Sequence, residues 1–337
     1  MSPKRLLIAI IYIVCMTFAS CGVKNQQNDG AVWGTTYHIS YRSDRNLGDS
    51  IVTTMRRVEL EFSMFDKQST VSRINRNDAV VLSDEFISLF NLAKETNAIS
   101  GGAFDPTVGP LTDLWGFGTK DISNAGEPTQ AEIDSAMLTV GIDSCHIADR
   151  RMIKKHDSTR FDFSSIAKGY GVDAVAAMLK RNGCTDFLVE IGGEVVTSGL
   201  NPDGRDWHIQ IDAPVDDRDD PNHSPLYLIA LKDRAVATSG NYRNYRDVSG
   251  GRIGHTLNPR SGRPVTSPTV SATVIAGNCA LADALATACM VMPAEKAMEM
   301  IERLDKTEAL IAVSKQGALK LLKSSGFPES LQTPAKP

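Results

Sequence analysis

The sequence has few cysteines, few aromatic residues and no excess of positive charge, and these shortages exclude several classes of protein. Six cysteines in 337 residues are too few for a fold built on disulfides. Lys and Arg together number 36 against 40 for Asp and Glu, so no overall attraction to nucleic acid is expected. Only 6% of residues are aromatic, yet 42% are hydrophobic, which excludes a disordered chain and allows a sizeable core.

The cysteines also lack the spacing of a zinc site, because no pair has the CxxC arrangement. Cys145, Cys184, Cys279 and Cys289 are interpreted as buried thiols. An oxidising compartment would allow one disulfide among them, and the sequence alone does not assign it.

The main apolar run lies at the N-terminus and is shorter than the roughly 20 residues of a membrane-spanning helix. It covers residues 6–19, after Lys4 and Arg5, and ends in a Phe-Ala-Ser-Cys sequence that resembles the lipobox of bacterial lipoproteins. We therefore predict a lipoprotein signal peptide over residues 1–20, lipidation of Cys21 and a polar lipid tether over residues 21–30. An ordinary cleaved signal and a transmembrane anchor are the alternatives.

The rest of the chain mixes helical and strand patterns without strict alternation, which favours an α+β fold over a doubly wound sheet. Apolar spacing predicts helices over residues 49–62, 83–100, 164–182, 280–292 and 294–304, and a capping box at Thr129 and Glu132 predicts another. Strands are predicted over residues 32–41, 187–191, 207–212, 226–231, 270–275 and 308–314. The tail, residues 323–337, is expected to be flexible.

A few short segments are richer in Gly, Asp, Ser and Thr than a plain core requires. They are Gly101–Thr107 (GGAFDPT), Asp162–Tyr170 (DFSSIAKGY), Glu190–Glu194 (EIGGE), Ala237–Arg243 (ATSGNYR), His255–Gly262 (HTLNPRSG) and Ala282–Thr287 (ADALAT).

Asp283 and Thr287 form the most informative pair. They are four residues apart on a predicted helix, so both oxygens lie on one face. A carboxylate and a hydroxyl placed in this way suit a hard divalent cation. The alternative is a carboxylate near a helix N-terminus that accepts hydrogen bonds from backbone donors.

The other polar segments are less specific. Thr238-Ser239-Gly240 is a common turn whose backbone N–H groups are able to approach phosphate oxygens. Gly192-Gly193 follows a strand but is not followed by a helix, so a Rossmann site is not supported. Lys168 is either a phosphate ligand or a solvated helix lysine. His255 is either a general base or a structural surface histidine.

Taken together and in order, these segments resemble the ApbE family, the FAD:protein FMN transferases. The family patterns D-x-x-x-x-A-K-G-Y, I-G-G-[DE], T-S-G-x-Y-R, H-x-x-x-P-[RK]-[TS]-G and A-D-A-x-[AS]-T are matched in residues 162–170, 191–194, 238–243, 255–262 and 282–287. Residues 62–75 and 102–110 look like the family's earlier segments. The resemblance covers about residues 31–320.

The resemblance implies an α+β fold with mixed or antiparallel sheets and packed helices, related to the T-fold, that forms a two-lobed single catalytic unit over residues 31–322. It implies a Mg²⁺-dependent enzyme that transfers the FMN part of FAD to a Thr or Ser hydroxyl of an acceptor protein and releases AMP. The implied acceptors are subunits of membrane electron-transfer complexes. The implied location is a bacterial membrane, with the enzyme lipid-anchored and facing the periplasm.

The resemblance also implies roles for individual residues. The cation would be bound by Asp283, Thr287 and the backbone carbonyl of Ala167. His255 would take the proton of the acceptor hydroxyl, with Lys168 and Asp283 also catalytic. The residues expected to bind FAD are Phe65, Gly102, Asp105, Asp162, Lys168, Glu190, Gly193, Glu194, Thr238, Ser239, Gly240 and His255.

One residue departs from the family pattern. Ser-x-Tyr is common in the early motif, whereas this chain has Ser63-Met64-Phe65. Phe65 is expected to lie near a ring of FAD, where it keeps the stacking surface and lacks the hydroxyl. The change bears on the balance between transfer and hydrolysis. The alternative that this change favours is an FAD pyrophosphatase that releases FMN and AMP. A non-catalytic flavin-binding lipoprotein is a separate alternative.

Overall fold

The computed structural model describes residues 22–119, 127–215, 224–241, 245–248, 251–315 and 318–331. The helices are α1 Gly48–Phe62, α2 Thr70–Asn75, α3 Asp84–Ile99, α4 Gly109–Trp115, α5 Gln130–Met137, α6 Ala167–Arg181, α7 Cys279–Val291 and α8 Ala294–Ile301, with a short 3₁₀ helix at Ile142–Ser144. The strands are β1 Lys24–Val32, β2 Thr35–Ser43, β3 Cys145–Ala148, β4 Arg151–Lys154, β5 Phe187–Ile191, β6 Glu194–Ser198, β7 Trp207–Asp212, β8 Pro225–Leu231, β9 Ala235–Gly240, β10 Tyr245–Val248, β11 Gly251–Gly254, β12 Leu257–Asn258, β13 Arg263–Pro264, β14 Thr269–Ala276, β15 Glu308–Lys315 and β16 Ala318–Lys323.

Eight strands form one antiparallel sheet in the order β1-β2-β5-β6-β9-β14-β15-β16. Alternate residues of each strand point to opposite faces, so the sheet has a core on both sides. Val274 packs in the core that contains α3 and α7, whereas the next residue, Ile275, packs against the β7–β8 hairpin. The α+β class and the antiparallel sheet predicted from the sequence are confirmed.

Helices α6 and α7 cross in close contact because Gly169 has no side chain. A Cβ atom there would lie 2.4 Å from the carbonyl oxygen of Cys279, the first residue of α7. Gly171, one half-turn later, is covered by Trp33, whose ring would lie 2.2 Å from an added Cβ. The two glycines thus set the position of the α6 N-terminus, where several predicted site residues lie.

Most predicted elements are present within a few residues of their expected bounds, and the capping box of Thr129 and Glu132 opens α5 as predicted. The helix predicted from residue 164 begins at Ala167 instead. The reason is Asp162, whose Oδ1 accepts hydrogen bonds from both the backbone N–H and the hydroxyl of Ser164 and so stabilises a turn.

The structure differs from the sequence analysis at both ends of the described chain. Residues 24–30, expected to be a tether, belong to β1, which pairs with β2 along its whole length. The strand has few apolar residues because it lies at the sheet edge, where main-chain hydrogen bonds to β2 hold it. Beyond β16 the tail is packed as far as Leu331: Phe327 is buried against β8, and the Leu331 N–H donates to Leu228.

Cys145, Cys184, Cys279 and Cys289 are free and buried, so their interpretation as buried thiols is confirmed. Within the described ranges, no helix has both the length and the apolar character needed to cross a membrane. The predicted signal peptide, Cys21 and residues 332–337 lie outside the described residues.

Candidate functional site

Most of the predicted site residues meet at one cavity of about 500 Å³. Its walls come from the loop after α3, the start of α6, the end of β9, the loop after β11 and one face of α7. The predicted residues that line it are Asp105, Asp162, Lys168, Glu194, Thr238, Ser239, Gly240, His255, Asp283 and Thr287. The structure thus brings together segments that lie up to about half the chain apart in sequence.

Helix α7 presents Asp283 and Thr287 to this cavity. The helix is capped by Asn278, whose side chain accepts from the Leu281 N–H at 2.9 Å, so Asp283 is not the cap of its own helix. Its Oδ2 instead accepts the N–H of Gly169 in α6 at 3.0 Å. Thr287 Oγ1 lies 3.2 Å from the hydroxyl of Ser239 in β9. A carboxylate and two hydroxyls therefore converge from two elements, α7 and β9.

Lys168 forms an ion pair with Glu194 at the edge of the same cavity. The Glu194 side chain is only 2% exposed, whereas the Lys168 side chain is 37% exposed. Burial lowers the pKa of Lys168, but the carboxylates of Glu194 and Asp283 outweigh this effect and hold it above its ordinary value. Burial raises the pKa of both carboxyls, and Lys168 opposes that rise. Lys168 is therefore a permanent cation at neutral pH.

His255 lies in a loop that forms part of the cavity wall. Its ring packs edge-to-face with Phe117 at a centroid distance of 6.4 Å. The next residue, Thr256, donates its hydroxyl to Asn241 at 2.7 Å. Further along, Arg260 donates to the carbonyl oxygens of Ser100 and Gly101 after α3. The histidine loop is thus attached to two other parts of the cavity wall.

Asp105 and Asp162 line the cavity, but much of their hydrogen-bonding capacity is used by the protein. Asp105 accepts from the N–H groups of Thr107 and Ile142 at 2.8 and 3.0 Å and from the Asn97 amide at 3.2 Å. Burial raises the pKa of Asp105, while these hydrogen bonds from Thr107 and Ile142 lower it. The carboxylates therefore shape the loops that form the wall.

Other predicted residues do not line the cavity; they are Phe65, Gly102, Ala167, Glu190 and Gly193. Glu190 accepts the Gly193 N–H at 2.6 Å and closes the β5–β6 turn next to the lining residue Glu194. Phe65 is 70% exposed and lies just after α1.

The apolar part of the wall was not among the residues predicted from the sequence. Phe104, Val108, Phe117, Leu257 and Pro259 line the cavity beside the polar residues. Phe104 lies within the segment GGAFDPT, and Leu257 and Pro259 lie within HTLNPRSG, so these apolar residues belong to segments that their polar residues mark in the sequence. A cavity lined by both apolar and polar, charged residues suits a ligand that joins aromatic rings to phosphates.

The oxygens of Asp283 and Thr287 fit a hard cation such as Mg²⁺, which keeps several ligands from water or substrate phosphate. Within the described part of the chain, no group of three or more His, Cys, Asp or Glu residues forms a denser metal cluster. Ala167 opens α6 two residues before Gly169, whose N–H contacts Asp283.

The chain is similar to proteins of one family along nearly its whole length. The ApbE family model matches residues 33–311. The FAD:protein FMN transferase of Vibrio cholerae is 34% identical over 96% of this chain and 98% of its own length. The protein of the same name from Haemophilus influenzae is 31% identical, over 98% of this chain and 99% of its own length.

Solved structures agree with the sequence comparisons. The flavin transferase ApbE from Vibrio cholerae superposes with a TM-score of 0.81 at 33% identity, over 91% of this chain and 99% of that one. The apo form of the Pseudomonas stutzeri flavinyl transferase ApbE gives 0.79 at 32% identity, over 90% and 95%. With the matching motifs gathered at one cavity, the chain belongs to the ApbE family.

Proposed function

We propose that this protein is an FAD:protein FMN transferase: it moves the FMN part of FAD to a Thr or Ser hydroxyl of an acceptor protein and releases AMP. The name shared by relatives over the full length of the chain supports this activity. The observation that carries it here is the convergence of Lys168, Asp283, Thr287 and His255 on one cavity that also has an apolar wall.

The cation in this proposal is Mg²⁺, held by Asp283 and Thr287 with a contribution from the Ala167 carbonyl. A bound Mg²⁺ ion supplies charge neutralisation at a diphosphate that reacts in line. Lys168 adds a second, fixed positive charge at the same wall.

His255 is the general base of the proposed reaction. It takes the proton from the acceptor hydroxyl, whose oxygen attacks the FMN phosphorus, and the bond to the AMP oxygen breaks. Phe117 packs against the ring and restricts its orientation. General-base assistance of this kind typically contributes about 10²- to 10⁴-fold to the rate.

We further propose that Cys21 carries a lipid and that the enzyme works at a bacterial membrane, facing the periplasm. Its acceptors in this proposal are subunits of membrane electron-transfer complexes. The support is the sequence before Cys21, which has a basic start, an apolar run and small residues at the cleavage position.

The test is to incubate the purified chain with FAD, Mg²⁺ and an acceptor subunit that contains the target hydroxyl. Transfer gives a protein band with covalent flavin fluorescence and one AMP per flavin attached. Full binding of FAD without such a band, for every Thr- or Ser-containing acceptor tried, would contradict the proposal.

Hydrolysis of FAD to FMN and AMP is the second candidate activity. The observation that favours it is Phe65, which replaces the tyrosine common in the early motif and is largely exposed. The same incubation without acceptor, followed by chromatography of the nucleotides, separates the two activities, because only a pyrophosphatase releases AMP when no acceptor hydroxyl is supplied.

A further inference from the structure

Around Lys168, the cavity wall contains two buried carboxylates and one positively charged side chain. Glu194 and Asp283 are both almost fully buried, at 2% and 3% exposure. Lys168 is the one Lys or Arg among the described residues that line the cavity. Two carboxylates thus share one ammonium, and Lys168 interacts electrostatically with both of them.

The geometry assigns the ammonium to one of these carboxylates. Lys168 Nζ pairs with Glu194 Oε1, whereas Asp283 is held by a neutral donor, the Gly169 N–H. The second oxygen of Glu194, Oε2, is buried and accepts no hydrogen bond from any of the described residues. A buried carboxylate with an unsatisfied oxygen lowers the stability of the fold. The burial of Glu194 therefore calls for a functional explanation.

We propose that Glu194 is a positioning residue that holds the Lys168 ammonium away from Asp283 and thereby keeps Asp283 free to bind a divalent cation. Besides Glu194, the buried carboxylate that interacts electrostatically with Lys168 is Asp283. An ammonium paired with Asp283 would compete directly with the cation. This inference rests on the proposed Mg²⁺ site at Asp283 and Thr287.

Substitutions that remove the charge of Glu194 or Lys168 should change the affinity for Mg²⁺, which is measured without any activity assay. Glu194→Gln removes one negative charge, frees Lys168, and should weaken Mg²⁺ binding about tenfold or more. Lys168→Met removes the competitor and should strengthen Mg²⁺ binding above the wild-type level. The double variant Glu194→Gln/Lys168→Met removes one charge of each sign and should return to near the wild-type affinity.

The measurement is calorimetric titration of each purified protein with Mg²⁺ alone, with circular dichroism and thermal unfolding to show that each variant is folded. Glu61→Gln is the matched control. Glu61 also has a buried oxygen without a partner in the described chain, but it does not line the cavity, so Mg²⁺ affinity should not change.

The outcomes distinguish the inference from the proposal it rests on. Unchanged affinity in Glu194→Gln would overturn the inference while leaving the Mg²⁺ site intact. Failure of the double variant to recover would mean that Glu194 binds the cation itself, which also overturns it. A wild-type chain without Mg²⁺ affinity would overturn the proposed cation site and this inference together.

Discussion

Asp283 combines an observed structural contact with a proposed chemical task at a single residue. One carboxylate oxygen accepts the Gly169 N–H and joins α7 to α6. The residue is nearly fully buried, so its charge has a high energetic cost unless cations compensate it. Lys168 supplies part of this compensation, and its own partner is Glu194.

Asp283→Asn tests the chemical task alone, because the amide oxygen is still able to accept from Gly169. We expect Mg²⁺ affinity to be lost and FAD turnover to fall by about 10²- to 10³-fold, the usual cost of removing one charge-stabilising group. Steady-state kinetics over a range of Mg²⁺ concentrations measure this. Ser267→Ala, which lies outside this cavity, is the control. Unchanged turnover would contradict the proposed cation-binding role of Asp283.

At the residue scale, helical spacing correctly predicted which side chains lie together in the cavity wall. Asp283 and Thr287 are four apart on a helix, which places both side chains on one face wherever the helix packs. The prediction that Glu190 and Gly193 line the cavity does not match the structure, because these two residues hydrogen-bond to each other and close the β5–β6 turn. Which residue of a turn faces a cavity depends on strand register, which one sequence does not contain.

The contact between α6 and α7 depends on close backbone approach. Gly169→Ala would place a methyl group 2.4 Å from the Cys279 carbonyl oxygen and must separate the helices. We expect a loss of about 1–3 kcal/mol in unfolding free energy, typical of overpacking, together with weaker Mg²⁺ binding because the Gly169 N–H moves from Asp283. Urea unfolding and calorimetry measure the two effects.

Gly277→Ala is the control for this substitution, since nothing lies within 4 Å of the Cβ that it adds. If Gly169→Ala retained full stability and Mg²⁺ affinity, the close contact of the two helices would not be the feature that positions Asp283.

A second carboxylate joins the same two helices and should make stability depend on pH. Asp173 in α6 accepts the N–H groups of Cys279 and Ala280 at 2.9 Å each. Burial raises its pKa to about 6, although these hydrogen bonds oppose the rise. The folded chain therefore keeps this proton between about pH 4 and pH 6, where the unfolded chain has released it.

The contribution of Asp173 to stability is then greatest at low pH and declines as pH rises to about 6, by at most about 3 kcal/mol. Asn at this position does not titrate. The wild-type unfolding free energy minus that of Asp173→Asn should fall between about pH 4 and pH 6 and be flat above about pH 7. Urea unfolding at several pH values measures it, and a difference that rises with pH would contradict the shift.

At the element scale, the sequence predicted helices and strands whose residues face a core. Strands 187–191 and 207–212 match β5 and β7, since alternation is strong where one face is buried. It missed β1, a polar edge strand held by main-chain hydrogen bonds, and β9, whose residues also form the TSG segment. It also missed the β3–β4 hairpin, whose strands are only four residues long.

In the molecule as a whole, the cavity is formed by helices packed on the sheet and by loops that hydrogen-bond to one another. Asp283 and Thr287 lie on α7, which packs in the apolar core, whereas His255 lies in a loop joined to other segments through Arg260 and Thr256. With the proposed cation bound on the α7 side, we expect the loop side to accommodate the acceptor protein. The antiparallel sheet extends from this region to β1, the strand nearest Cys21 in sequence.

The short distance between Cys21 and β1 leads to a prediction about the whole enzyme. Only Gly22 and Val23 separate them, a span of about 7–11 Å when extended, so a lipid on Cys21 would hold the folded body close to the membrane.

Cys21→Ser should move the protein from the membrane to the aqueous fraction. FAD turnover in solution should be unchanged, because the cavity residues are intact, whereas transfer to an acceptor embedded in vesicles should fall several-fold relative to transfer to a soluble acceptor fragment. Fractionation and flavin fluorescence of the two acceptors measure these effects. If the variant remained in the membrane fraction, or served both acceptors as well as wild type, Cys21 would not be the anchor that brings enzyme and acceptor together.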